Sequence, residues 1–294
     1  MSAVLFDVPG PRARRRYLLL TVLFAALLLA IVWWAVRKLS AEGVLSAQVF
    51  NDTFQNTNVA FLLEGFVANL KAAGLAIAGA IVFGAVFAIG RLSDHRVLRW
   101  PCAAVIEFFR AVPLLLLIIG IWFAFKDTIG TLASLVAALI LYNGSVLAEV
   151  FRAGINAVPR GQSEAAYALG MRKSQVMPIV LMPQAVRFML PAIVSQCVIV
   201  LKDTSLGYVI LYGEAVRYAR RVAQFVGDGA LLTYITVALV FIVINYGLSK
   251  LAAYLERRLA RRGQHSTDEA PAAATATVGP GAGPGVGPAL DTGA

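Results

Sequence analysis

Long apolar runs alternate along this chain with short polar or basic clusters. The runs are Tyr17 to Val36, Gly65 to Gly90, Pro101 to Phe125 (its apolar core starting near Pro113), Leu132 to Val150, Phe188 to Leu201 and Leu231 to Leu248. A run of roughly 20 apolar residues crosses a bilayer as a helix, so the pattern predicts an all-α membrane protein with about six transmembrane helices. The first run is longer than the apolar core of roughly 7–15 residues in a signal peptide. Arg37 and Lys38 follow it, so it is expected to be a retained span. Basic residues orient the helices by the positive-inside tendency. Arg12, Arg14, Arg15 and Arg16 precede the first run, Arg91 to Arg99 follow the second, and Lys250, Arg257, Arg258, Arg261 and Arg262 close the last. Both termini are therefore expected in the cytoplasm. Ala41 to Leu63 is polar and reads as an external loop with room for a surface helix.

Polar residues inside or beside the runs are the candidates for function. Gly74, Gly79, Gly84 and Gly90 either let a neighbouring helix approach closely or are ordinary membrane-helix composition. Glu107 and Arg110 share a helix face at three-residue spacing and are expected to pair as a turn at the inner interface. Asn143 needs a partner in lipid, so it faces protein or a water-filled passage. Lys202, Asp203, Thr204 and Ser205 interrupt the fifth run. They read either as a helix break lining a cavity, with Lys202 and Asp203 neutralising each other and Thr204 and Ser205 capping the next piece, or as a plain interfacial end. Tyr208 to Gly229 reads as an amphipathic external segment, although its Arg217, Arg220 and Arg221 run against the positive-inside tendency.

Composition agrees with the membrane reading. The 294 residues are 59% hydrophobic and 14% charged, with mean hydropathy +0.76, where soluble domains carry roughly a quarter charged residues. A net charge of +10 would suggest nucleic acid in a soluble protein. Here the cations sit at the ends of apolar runs, which explains them without a nucleic-acid partner. Cys102 and Cys197, with His95 and His265, offer no metal spacing. Neither a phosphate-binding loop nor a nucleophile elbow is present, so no cofactor, metal or catalytic role is expected.

The long polar interruption runs from Pro159 to Pro191. Arg160, Arg172, Lys173 and Arg187 make it basic, and Glu164 is its lone acid. Gly161, Gly170, Pro178, Pro183 and Pro191 break it into the short helical pieces Gln162 to Leu169 and Met171 to Met177. Glu164-Ala165-Ala166, then Gly170, then Val180-Leu181-Met182-Pro183 resembles the EAA loop of ATP-binding-cassette importer permeases. That family has isoleucine and leucine where this chain has Val180 and Met182. The flanks resemble its polar amino acid subfamily: Leu147-Ala148-Glu149-Val150-Phe151-Arg152, Pro159-Arg160-Gly161-Gln162 and Leu201-Lys202-Asp203-Thr204-Ser205-Leu206.

The resemblance implies a type I importer permease core over 65–258 with its coupling loop at 159–187. A cytoplasmic basic N-terminus (1–16), a peripheral helix and external loop (17–64) and a disordered cytoplasmic tail (259–294) would flank it. It further implies that the loop docks in a groove of an ATPase subunit through Glu164, Ala165, Ala166, Gly170 and Arg172. The implied partners are two ATPase copies, a second permease (identical or paralogous), an external substrate-binding protein, membrane lipid and a polar amino acid. An ion-coupled transporter or a membrane scaffold is the alternative reading of the same spans.

Overall fold

The structure, a computed structural model, describes residues 10–264, which form ten α-helices joined by short turns with no strand among them. In order they are α1 Pro11–Ala41, α2 Ala47–Thr53, α3 Asn56–Arg91, α4 Arg96–Ala111, α5 Leu114–Asn156, α6 Arg160–Ala168, α7 Lys173–Val176, α8 Met182–Asp203, α9 Ala215–Val226 and α10 Ala230–Gln264. Five stretches among the described residues are long and apolar enough to cross a membrane: Arg12–Ala41, Asn56–Arg91, Leu114–Asn156, Lys173–Ile210 and Ala215–Leu251.

The sequence pattern counted about six spans, and α5 accounts for the difference. Its 43 residues would run about 65 Å if straight, twice the hydrocarbon thickness. Gly130 interrupts it with φ 78° and ψ 173°, a backbone that residues with a β-carbon avoid. Ile118 before the break shares one core with Leu135, Ala138 and Leu139 after it. The third and fourth apolar runs are thus two helical segments that meet at a kink at Gly130 and are counted together in the one stretch Leu114–Asn156. The second run also starts earlier than its apolar residues suggested, because α3 takes in the polar turn from Asn56.

The central packing is α3 against α5. Ala72, Ala73 and Ala76 of α3 meet Ile118, Leu135, Ala138 and Leu139 of α5 and Val200 and Leu201 of α8. A β-carbon on Gly84 would stand 2.9 Å from Leu147 Cβ and 3.0 Å from the Gly144 carbonyl oxygen. That position therefore needs glycine for close contact, whereas Gly74 faces open space. Smaller cores extend the bundle at both ends. Leu62 and Phe66 pack with Ala219, Val222 and Val237 at one end, and Ile155 and Val158 with Ala185 and Met189 at the other.

Nothing in the described chain buries the apolar stretch of α1. Trp33 and Trp34 near its end lie under Arg37 and Lys38 at 5.2 and 5.6 Å, the aromatic-and-cation pairing of a membrane interface. The helix begins at Pro11, so Arg12 and Arg14 to Arg16 form its first turns rather than a separate segment. At the other end α10 continues to Gln264, past the boundary expected at residue 259. The remaining expectations for 1–9 and 265–294 lie outside the described residues.

Candidate functional site

Two regions far apart along α3 collect most of the candidate residues. Arg91 and Asn69 are 22 positions apart on that helix, about 33 Å.

The first region is the polar interruption. It folds as α6, a turn at Gly170, α7, a π-turn at Met177–Leu181 containing Pro178, and then α8. Gly170 has φ 77°, the left-handed conformation that ends a helix. The turn is closed by the Gly170 N–H donating to Tyr167 O (2.9 Å) and the Met171 N–H to Ala166 O (3.2 Å). Glu164, Ala165, Gly170 and Arg172 are exposed, and so is Leu169 at 83%. Ala166 is not: it is 4% exposed and seats α6 on its own protein. It therefore cannot share an outward docking face with Ala165. The Arg172 backbone N–H donates to Gln175 Oε1 at 2.9 Å and starts α7.

Two contacts hold this projection to the bundle. Lys173 pairs with Asp94 in the α3–α4 turn. The Lys173 hydrogen bond and charge hold the Asp94 carboxyl below its ordinary range. Gln184 Nε2 donates to Gln162 Oε1 (3.2 Å) and to Val180 O (2.9 Å), joining α8 to α6. Behind the projection, ion pairs link three helices. Arg91 reaches Glu107 (3.1 Å) and Glu149 (2.9 Å), Arg110 reaches Glu107 (3.7 Å), and Arg152 reaches Glu149 (2.9 Å). Arg91 and Glu149 are the most shielded pair, so their contact outweighs the exposed ones to Glu107. Glu107 and Arg110 are thus one edge of a network that includes α3 and α5.

The second region is the interruption of the fifth run. Here α8 stops at Asp203 and tightens into a 3₁₀ turn, Thr204–Ile210, which ends at Leu211 with φ 64°. The turn is seated in protein. Asn69 Nδ2 donates to Thr204 Oγ1 (2.8 Å), Asn69 Oδ1 accepts the Ala215 N–H (2.9 Å), and the Tyr212 hydroxyl donates to Ala68 O (3.0 Å). The hydroxyls of Thr204 and Ser205 donate backwards, to Leu201 O and Lys202 O at 2.7 Å, instead of capping a following helix. Lys202 and Asp203 are not among the ion pairs within 4.0 Å found in the described residues. Neighbouring helical side chains diverge rather than face each other. Glu214 is fully buried and caps α9, accepting the N–H groups of Val216 (2.8 Å) and Arg217 (2.7 Å). Burial pushes its carboxyl up to about 6 against those two hydrogen bonds.

A cavity of about 560 Å³ lies between α8 and α10, lined by Lys202, Ser205, Phe241 and Asn245 among others. Asn245 Nδ2 donates to Phe241 O at 2.7 Å, and its Oδ1 is buried without a protein partner. Asn143 sits elsewhere. It is fully buried, donates to Leu139 O (3.1 Å) and accepts from Gln196 Nε2 (2.6 Å), a bond between α5 and α8. Asn69, Gln196 and Asn245 were missed in the sequence. Their common signal is a lone amide in an apolar run, which must find a partner in lipid. Among the described residues no three His, Cys, Asp or Glu side chains gather at a metal-sized site.

Comparison with known proteins places these features in a family. Residues 80–261 match the family described as binding-protein-dependent transport system inner membrane component. The glutamate transport system permease protein GluD of Corynebacterium glutamicum is 42% identical over 228 residues, covering 75% of this chain and 83% of that protein. The probable glutamine ABC transporter permease protein GlnP of Bacillus subtilis is 33% identical, covering 71% and 98%. A solved structure described as an amino acid ABC transporter with histidines superposes with a TM-score of 0.64 at 30% identity, covering 68% of this chain and 94% of that one. The MetNI methionine ABC transporter, inward facing, shares the fold alone at 17% identity and a TM-score of 0.62. With a helical bundle, a bent polar projection at one end and a family match over most of its length, this chain belongs to the inner membrane components of binding-protein-dependent transport systems.

Proposed function

We infer that the chain is the membrane-spanning permease subunit of an ATP-driven amino acid importer, with substrates in the glutamate and glutamine class that its relatives' names carry. It is a transport component and not an enzyme, so ATP hydrolysis belongs to two copies of a separate subunit. A second permease and an external binding protein complete the assembly. The protein lies in the inner membrane as a multi-pass bundle, with the α6–α7 projection and both termini on the cytoplasmic side.

The observation that carries this reading is the exposed, pinned projection at α6–Gly170–α7. Glu164, Ala165, Leu169 and Arg172 face outwards, while the Asp94–Lys173 pair and Ala166 tie the other side to the bundle. A short piece held at its base transmits displacement instead of absorbing it, which a motor subunit requires. The far end supplies the path. The 3₁₀ turn at Thr204 breaks the helix beside the cavity lined by Lys202, Ser205 and Asn245. Irregular backbone at depth is tolerated where protein buries it or water lines it.

Site-directed cross-linking tests the coupling role. A single cysteine at Ala165, in a background lacking Cys102 and Cys197, should cross-link to the ATPase subunit in membranes, and the yield should change on adding ATP. A lever that contacts no nucleotide-hydrolysing neighbour would sink the assignment. Uptake into vesicles should follow ATP and ignore sodium and proton gradients, whereas gradient-driven uptake would point to a secondary transporter.

A further inference from the structure

We propose that Arg217, Arg220 and Arg221 form, with Tyr208, a carboxylate-binding entry site that selects an acidic amino acid. The inference rests on the importer reading above and narrows its substrate class. The residues lie at i, i+3 and i+4 on α9, and Gln224 continues the stripe at i+7. The opposite face of that helix, Ala215, Ala219, Val222 and Ala223, is buried in the bundle. The stripe therefore cannot turn inward. It borders a recess of about 500 Å³ whose other wall is the 3₁₀ turn carrying Tyr208.

Three guanidinium groups on one face repel each other and cost helix stability unless an anion joins them. Among the described residues none has a carboxylate within 4.0 Å. The acid nearest in sequence, Glu214, is buried, with both oxygens engaged by the backbone N–H groups of Val216 and Arg217. Among the described residues, the contacts that orient Arg220 and Arg221 are with neutral aromatic side chains. Arg220 touches the Tyr208 hydroxyl and lies 6.0 Å from its ring, and Arg221 lies 5.5 Å from the Tyr218 ring. These hold the forks in place while leaving their donors for a planar carboxylate.

The position fits an entrance. α9 packs on α3 at Gly65 and Asn69, the end remote from the Asp94–Lys173 contact. Ser205 and Val216 line the α8–α10 cavity, while Tyr208 and Arg217 line the recess. A carboxylate held in the recess thus stands beside the cavity that holds Lys202. Cations on the outer side run against the positive-inside tendency, and recruitment of an anionic solute supplies the reason.

The test uses the full permease–ATPase complex in detergent, without binding protein, and measures binding of labelled L-glutamate and L-glutamine. L-Glutamate should bind more tightly than L-glutamine. Arg220→Gln and Arg217→Gln should each weaken glutamate about three- to tenfold, with glutamine little changed, and Arg220→Lys should recover part of the loss. No measurable glutamate binding, or equal losses for both amino acids, overturns the proposal. In proteoliposomes with binding protein, the same variants should lower glutamate uptake even when binding protein saturates. If they instead only raise the binding-protein concentration needed for half-maximal ATP hydrolysis, the recess is a docking surface and the proposal fails. Wild-type uptake of amino acids other than acidic ones also overturns it and leaves the importer reading intact. No amino acid uptake at all would overturn that reading first.

Discussion

At the scale of single residues, the buried polar groups carry the most testable energetics. Glu214 has no exposure, and burial raises its carboxyl to about 6 from an ordinary 4.5. Between those pH values the folded protein holds a proton that the unfolded chain has lost. Stability from this group is therefore full below about pH 4.5 and lost as pH rises through about 6. Melting midpoints in detergent should show that fall in the wild type and not in Glu214→Gln. Asp94, held low by Lys173, acts in the opposite sense, so the wild-type-minus-variant difference is the quantity to read. A difference that does not change with pH would mean the carboxyl is not raised. The Asn143–Gln196 bond makes a second residue-scale prediction. Asn143→Leu strands a buried amide and should cost about 1–2 kcal/mol. Adding Gln196→Leu should recover part of that loss, and simple additivity would show the two amides are uncoupled.

At the scale of elements, the α6–Gly170–α7 projection depends on local sequence and distant contacts together. Its helix pieces and glycine bend were legible, since Gly170 and Pro178 break any continuous helix there. Its inner and outer faces were not. Ala165 and Ala166 read alike in sequence, and only packing on the bundle sends Ala166 inward. Glu164→Lys should leave the protein inserted while lowering the amount of substrate moved per ATP several-fold, as measured in proteoliposomes. Gly170→Val forces a β-branched residue into φ 77°, with strain of about 1–2 kcal/mol, and should uncouple similarly. Normal coupling ratios in both variants would remove the lever role. The same limit applied to Lys202 and Asp203. Adjacent charges suggested a pair, but helical geometry points neighbours apart, and Lys202 instead borders the α8–α10 cavity.

At the scale of the whole molecule, the bundle is organised by α3 and α5, with α1 standing outside it. Because nothing in the described chain buries the apolar stretch of α1, its particular side chains are expected to be dispensable. Replacing Tyr17 to Val36 with an unrelated apolar helix of equal length should leave complex assembly and uptake within about twofold, by gel filtration and vesicle assay. Loss of assembly would show that α1 covers a partner in the complex. The family match over 80–261 contains both functional regions apart from Asn69, so the anchor of the 3₁₀ turn comes from the stretch before it.

The order of apolar runs by itself determined a helical membrane protein, the site of the polar projection and the EAA-type spacing. These follow from local hydropathy, propensity and motif, which need no partner in space. Tertiary structure alone decided that the third and fourth runs meet at a kink at Gly130 and pack in one core. It also decided that Asn69 reaches Thr204, 135 positions away, and that Glu214 is buried while the arginines after it are not. Each of these depends on which helix faces meet. Sequence periodicity records that a face is apolar or polar, but not what lies against it.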